Sequence, residues 1–226
     1  MLFGAFGDVH GDFEAVRRIH RRHPDVLFWL CVGDVADDEG RYVPFDAPVH
    51  WIKGNNENFD AIASGDLPAN LHYLPNGKIR TLHEVTIAGL GGTFAPTLYE
   101  LPAEALPHPV KSTAKATALA DRRRHFVHAE VDACKGFTGV DVFLTHEAAR
   151  PYFVGGGPGR RGNDAGKTPI NEVLAAMRPR LHLFGHHHRF SETARQGVPS
   201  VGLDLASRSY LLVDSSTLSY EHRDTT

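Results

Sequence analysis

The first apolar run, Leu2 to Gly7, is short and continuous, and the residues after it change period. Over 12–22, Phe13, Val16 and Ile19 fall on one helical face opposite a charged one, so a strand followed by a helix is predicted. Asp8 and His10 lie in the turn between them. Val26 to Val32 is apolar throughout and Val49 to Lys53 is apolar apart from His50 and Lys53, as strands covered on both faces are. Each ends in small or polar residues, Gly33-Asp34 and Gly54-Asn55-Asn56-Glu57. Open α/β sheets hold their ligands outside the carboxyl ends of strands, which makes these polar residues candidate site positions.

Further along, Ile79, Val85, Ile87 and Leu90 stand among turn residues over 77–94 and predict a hairpin closed by Gly91-Gly92. Residues 111–134, rich in Ala, Lys, Arg and Glu, predict one long surface helix. Val140 to Leu144 is the next buried strand and runs into Thr145-His146-Glu147. A glycine-rich loop containing Gly155 to Gly162 follows and ends at Thr168-Pro169, predicted as a helix N-cap and first helical residue. That helix carries Ile170, Val173, Leu174 and Met177 on one face, and the strand Leu181 to Phe184 then delivers Gly185-His186-His187-His188. From 191 to 222 short alternating strands are predicted. No repeat or break in composition divides the chain, so one α/β domain over residues 1–226 is expected.

A hydrophobic content of 42% with 23% charged residues excludes a disordered chain. The net charge of −3 excludes a protein that holds nucleic acid by bulk charge. A local contact stays open for the positive segment His108, Lys111, Lys115, Arg122, Arg123, Arg124, His125 and His128. Cys31 and Cys134 cannot build a disulfide framework. The start of the chain has no leader-like run and no apolar stretch is long enough to span a bilayer, so a cytoplasmic protein without membrane attachment is expected.

Histidine changes the picture, with 15 copies of the commonest metal-ligating side chain. At the predicted strand ends stand Asp8, His10, Asp34, Asn55, Asn56, Glu57, His146, His186 and His188. Nitrogen and oxygen donors without a thiolate suit manganese, iron, zinc or cobalt and argue against iron–sulfur chemistry. A carboxylate can bridge two ions. His187 alternates away from its neighbours if that stretch is extended, which leaves it outside the ligand set. Gly157 to Gly162 spells G-x-G-x-x-G but follows no strand and opens no helix, so a dinucleotide site is not expected there.

The order D-x-H, G-D, G-N-x-E, H, G-H-x-H, from Asp8 to His188, resembles the calcineurin-like metallophosphoesterase family. The resemblance implies a four-layer αββα sandwich. It implies two divalent transition-metal ions, manganese first, with iron, zinc, cobalt or nickel as alternatives. Asp8, His10 and His188 would hold one ion, Asn55, His146 and His186 the other, and Asp34 would bridge them and so take part in catalysis. Two such cations lower the pKa of a shared water until hydroxide can attack phosphorus in line. Glu57 is expected to orient its loop rather than to ligate.

One position departs from the family pattern. The family's G-N-H-[DE] places a histidine beside the substrate phosphate, where this chain has Asn56. An amide can donate a hydrogen bond to a phosphoryl oxygen but cannot serve as general acid, a contribution of ~10²–10⁴-fold. Asn56 therefore directs the expectation toward a phosphodiester substrate, small molecule or nucleic acid. The alternatives are a phosphomonoesterase acting on phosphoprotein or nucleotide, and a non-catalytic scaffold. Arg150, Arg160 and Arg161, with Lys167, are candidates to meet substrate phosphates from the glycine-rich loop. No obligate protein partner is expected.

Overall fold

Within Leu2–Phe6 (β1), Phe3 and Ala5 point to one side and Phe6 to the other, the two-residue period of a strand buried on both faces. The computed structural model, which describes residues 1–108, 120–155 and 162–226, builds two six-stranded sheets from such segments. In the first, β1 runs parallel to β2 (Trp29–Cys31), then β3 (Val49–Trp51) and β4 (Leu71–Tyr73). On its other side β1 pairs antiparallel with β15 (Ser209–Asp214), and β15 with β16 (Tyr220–Asp224).

The second sheet is parallel at its centre, where β6 (Val85–Leu90) lies beside β9 (Val142–Thr145), β9 beside β12 (Leu181–Phe184), and β12 beside β14 (Val198–Gly202). Its edges are the antiparallel strands β5 (Ile79–Leu82) and β13 (Ser191–Arg195). Between the sheets lie Phe3, Leu30, Val32 and Ile52 from one and Ile87, Val142, Leu144 and Leu183 from the other.

Helices cover the outer faces. Asp12 caps α1 (Phe13–Arg22) by accepting from the Ala15 N–H at 3.1 Å, and the helix lays Val16 and Ile19 against Phe6, Trp29 and Trp51. A short α2 (Phe59–Ser64) is capped by Asn58. On the second sheet, α3 (His128–Lys135) and α4 (Thr168–Met177) bury Val131, Cys134, Ile170, Val173, Leu174 and Met177 over Ala88, Leu90 and Phe143. The order helix, sheet, sheet, helix is the expected four-layer sandwich. Both cysteines are buried and free, and among the described residues no helix is long and apolar enough to cross a membrane.

Three local expectations are corrected. The expected helix is not continuous to 134: residues 109–119 lie outside the described residues, 122–124 make a 3-10 turn, His125–Phe126 (β8) is extended, and the chain is α-helical again at His128–Lys135. The cause is tertiary. β8 pairs with β7 (Thr93–Phe94), Phe126 is buried, and the buried Lys53 ammonium donates to the carbonyls of Arg123 and His125, so helix propensity is overridden. Thr168 is the first residue of α4 rather than its cap, because Lys167 is held extended by a bridge to Ala149 and by its N–H on the Ala148 carbonyl. The glycine-rich loop is clipped by β10 (Phe153–Val154) against β11 (Asn163–Asp164), with 156–161 outside the described residues.

Leu144 is fully buried between the sheets. Leu144→Ala should lower unfolding free energy by about 2–5 kcal/mol, read from urea denaturation midpoints. A loss under about 1 kcal/mol would show that the sheets close over the gap without cost.

Candidate metal centre

The parallel strands all point their carboxyl ends to one edge of the sandwich, and five of them deliver polar residues there. Asp8 and His10 follow β1, Asp34 follows β2, Asn55 follows β3, His146 follows β9, and His186 and His188 follow β12. The loops are tied to one another before any ligand is considered. The Val9 and His10 N–H groups donate to the Asp34 carbonyl at 3.0 and 2.7 Å, the Gly185 N–H to the His146 carbonyl at 3.1 Å, and the His186 N–H to the Asp8 carboxylate at 3.1 Å.

Two groups of donor atoms converge. Ligand atoms of Asp8, His10 and His188 lie within 4.8 Å of one another, and so do those of Asp8, Asp34 and His146. The His188 Nε2 is 3.0 Å from Asp8 Oδ2 and 3.0 Å from His10 Nε2. Asp34 Oδ2 stands 3.7 Å from both His10 Nε2 and His146 Nε2 and so faces both histidine groups. On the buried side, His146 Nε2 meets Asn55 Oδ1 at 3.0 Å and His186 Nδ1 at 3.2 Å. All seven sequence-predicted donors are therefore in one cluster.

The cluster fits a cation on chemical grounds. The His146 Nδ1–H donates to the Val32 carbonyl at 2.8 Å, which turns the Nε2 lone pair toward the Asn55 oxygen. Two acceptors at that distance need a positive centre between them, a proton or a metal. Burial opposes a charged His146, yet Asp34 and Asp8 hold its pKa above the ordinary value. Burial likewise works against a charged Asp34, and His146 and His10 keep its carboxyl below the usual range. The hydrogen bond to Asp8 raises His188, while burial and the facing His146 push His186 down to about 3. Nitrogen and oxygen donors without a thiolate suit a divalent transition metal.

Backbone strain marks the same residues. His10, Asp34, His186 and His188 all have positive φ, at 47°, 51°, 67° and 48°. Left-handed conformations cost non-glycine residues roughly 1–2 kcal/mol each, so four such sites in one cluster show a geometry imposed against local preference. The glycine before Asn55 has a direct role: a Cβ on Gly54 would lie 2.0 Å from Asp34 Oδ1. No larger residue lets β3 end so close to that carboxylate.

Glu57 orients its loop, as expected. Its buried carboxylate accepts from the N–H groups of Val35, Ala36 and Gly54 and from the Tyr42 hydroxyl, joining the β2 and β3 loops. Burial and the neighbouring Asp34 charge push it up to about 8. Asn56 is turned onto Asp34, donating its backbone N–H at 2.7 Å and its side-chain amide at 2.9 Å. His187 is outside the cluster, stacked on Tyr152 at 4.4 Å between centroids. The reason is not strand alternation, since both neighbours are left-handed and the stretch is a turn.

The expected phosphate-binding cations fare differently. Arg150 is paired with Asp164 at 2.8 Å and Lys167 with Glu147 at 3.3 Å. They line a cleft of about 430 Å³ with Phe94, Tyr99 and Thr168. Arg160 and Arg161, like Lys111 and Lys115 of the positive segment, lie outside the described residues. One residue acquires a role that its sequence position did not reveal: buried Glu147, beside His146, accepts from the Phe94 N–H at 2.6 Å and so fastens β7 to the cluster. Its only signal was adjacency to His146.

Compared by sequence with curated proteins, the chain matches none. Solved structures share its fold at low identity. TT1561 of Thermus thermophilus superposes with a TM-score of 0.64 at 14% identity, over all of this chain and 99% of that one. GAP50, described as the anchor in the inner membrane complex of Plasmodium, gives 0.56 at 12% over all of this chain and 85% of that one. A putative 5′-nucleotidase from Staphylococcus aureus gives 0.55 at 13%, over 99% of this chain and 52% of that one. The family model for calcineurin-like phosphoesterases matches residues 1–190, a span that holds every donor of the cluster. The chain belongs to the calcineurin-like phosphoesterases.

Proposed function

We propose that this protein is a phosphodiesterase dependent on two divalent metal ions, with manganese favoured. The observation that carries the reading is the convergence of seven nitrogen and oxygen donors from five strand ends onto one edge of the sandwich. Asp8, His10 and His188 would hold one ion, Asn55, His146 and His186 the other, and Asp34, facing both histidine groups, would bridge them. Two ions held there would supply Lewis-acid charge to the phosphoryl oxygens and a water acidic enough to attack phosphorus near neutral pH.

The chain's own residues set the rest. The Val32 carbonyl fixes the His146 tautomer, and the amide of Asn56 holds the Asp34 carboxylate in place. His10 and His188 form the solvent side, with side chains 34% and 40% exposed, so substrate arrives over them. Asn56 brings no proton to a leaving oxygen. A diester carries a single negative charge, and with an aryl group the phenolate departs without protonation, which matches a site lacking a general acid at this position. The monoesterase alternative, in keeping with the description of the Staphylococcus neighbour, and the scaffold alternative, in keeping with that of GAP50, give different outcomes in the same assays.

Asp34→Asn should lose more bound metal and more activity than Asn55→Ala, because the first substitution weakens both sites. Elemental analysis beside hydrolysis of an aryl diester checks this, and an Asp34→Asn protein equal to wild type in both would sink the two-ion reading. His187→Ala should keep wild-type metal content while His186→Ala and His188→Ala each lose about one ion, since a removed ligand weakens only its own site. Loss of both ions from His187→Ala would contradict that.

The wild type should show a higher kcat/KM for diesters than for monoesters. Asn56→His should raise monoesterase activity most for alkyl leaving groups, by up to ~10²-fold, because an imidazolium can protonate an alkoxide. Measuring aryl and alkyl esters of both kinds in saturating manganese decides it. A wild type that prefers monoesters, or a substitution that helps aryl and alkyl esters alike, would overturn the role assigned to Asn56.

A further inference from the structure

Behind the turn that carries His146 runs a line of buried polar side chains with no place in the ligand set. His182, in the middle of β12, is fully buried, and its ring stacks on those of Phe143 and Phe184 at 5.7 and 5.5 Å between centroids. A polar ring persists in such surroundings when both nitrogens find partners. Its Nδ1 lies 3.1 Å from Oγ of Ser200, its register partner on β14, and its Nε2 lies 2.8 Å from Oγ1 of Thr145, the last residue of β9. Ser200 and Thr145 are fully buried too. Thr145 Oγ1 in turn reaches the Glu147 carbonyl at 2.6 Å and closes the turn across His146.

Counting protons gives this line a direction. A carbonyl only accepts, so the single hydroxyl proton of Thr145 goes to Glu147, and Thr145 must accept from His182. His182 therefore carries a proton on Nε2. Burial, helped by the Arg195 charge, pushes its pKa down to about 3, so the ring holds that one proton and Nδ1 is an acceptor. Ser200 then donates to Nδ1 rather than to the Val198 carbonyl, its other neighbour at 3.1 Å. Every bond points the same way, from β14 through β12 into the turn 145–147. Four other donors of the cluster are set by left-handed backbone, and His146 is not among them.

We propose that His182 is a positioning residue for the metal centre, acting through Thr145: the relay from Ser200 through His182 to Thr145 fixes the turn that aims His146 Nε2 at the ion it would share with Asn55 and His186. The inference rests on the two-ion reading and deepens it. Hydrogen bonds directed head to tail in a dry interior strengthen one another, so the Thr145 hydroxyl, accepting from His182, is a better donor to the Glu147 carbonyl. Partners of this kind behind a ligand govern metal affinity without touching the metal. Loosening the relay frees one ligand of one ion and leaves Asp8, His10 and His188 as they are.

The test compares the full-length wild type with Thr145→Val, Thr145→Ser, His182→Phe and the double variant Thr145→Val/His182→Phe. In the metal-free wild type, nitrogen NMR of the imidazoles should show His182 protonated at Nε2 alone, and the His146 ring signals should move in Thr145→Val and stay in Thr145→Ser. A His182 proton on Nδ1 would overturn the relay. Titration calorimetry with manganese should show one ion bound about 10-fold or more weakly in Thr145→Val and in His182→Phe, with the other ion at wild-type affinity and Thr145→Ser close to wild type. Both substitutions break the same relay, so the double variant should lose no more than the worse single one. Equal weakening of both ions, wild-type affinity in Thr145→Val, the same loss in Thr145→Ser, or additive losses in the double variant would refute the proposal. The two Thr145 variants alter single groups, so they decide the matter even if His182→Phe does not fold. A wild type that takes up fewer than two manganese ions would remove the two-ion reading, while the metal-free His182 and His146 signals still judge the relay.

Discussion

Two carboxylates buried side by side set the terms for this molecule. Asp8 and Asp34 are each about 1% exposed, at the edge where the two sheets end. An isolated buried charge costs far more than a folded domain's net stability can absorb, so these positions persist only with positive charge and hydrogen bonds directed at them. His10, His146 and His188 turn ring nitrogens toward them, and the N–H groups of His186 and Asn56 bring hydrogen bonds. Much of the surrounding architecture follows from that need: glycine before Asn55, strained backbone at four of the donors, and the Glu57 carboxylate gathering three N–H groups from the adjoining loops.

The parallel topology turns this local need into a site. In a parallel sheet every strand presents its carboxyl end to the same edge, so residues far apart in the chain arrive together without a dedicated scaffold. Two sheets packed through a common core bring a second set of strand ends beside the first. Asp8, Asp34 and Asn55 come from one sheet and His146, His186 and His188 from the other, and the centre exists only where the sheets meet. The apolar layer formed by Leu30, Val32, Leu144 and Leu183 is therefore also what sets the spacing of the donors.

That logic explains what could be read in advance. Continuous apolar runs bounded by polar clusters mark buried parallel strands and their ends, so β1, β2, β3, β9 and β12 and the donors after them were visible in one dimension. Features set by tertiary contact were not. Alanine, lysine and arginine over 111–134 favour a helix by propensity alone, whereas Lys53 and Phe94 draw residues 122–126 into a turn and a strand. The left-handed His186 and His188 break the alternation that placed His187 outside the cluster, and Tyr152 holds it there instead. Glu147 carries no motif, only its place next to His146.

The replacement at position 56 shows how one residue can divide a function that a histidine combines. An imidazolium beside a phosphoryl group does two things, adding positive charge and offering a proton to the departing oxygen. Asn56 does neither, and it donates its backbone N–H and one side-chain N–H to Asp34. Its contribution is to hold the one carboxylate that faces both histidine groups. Divalent ions held by the donor cluster would still bring positive charge to this edge, whereas asparagine at position 56 passes on no proton. Charge matters to any phosphoryl transfer, but protonation matters chiefly when the leaving group is a poor one. The separation of the two thus points to selectivity through the leaving group rather than to a general loss of catalytic power.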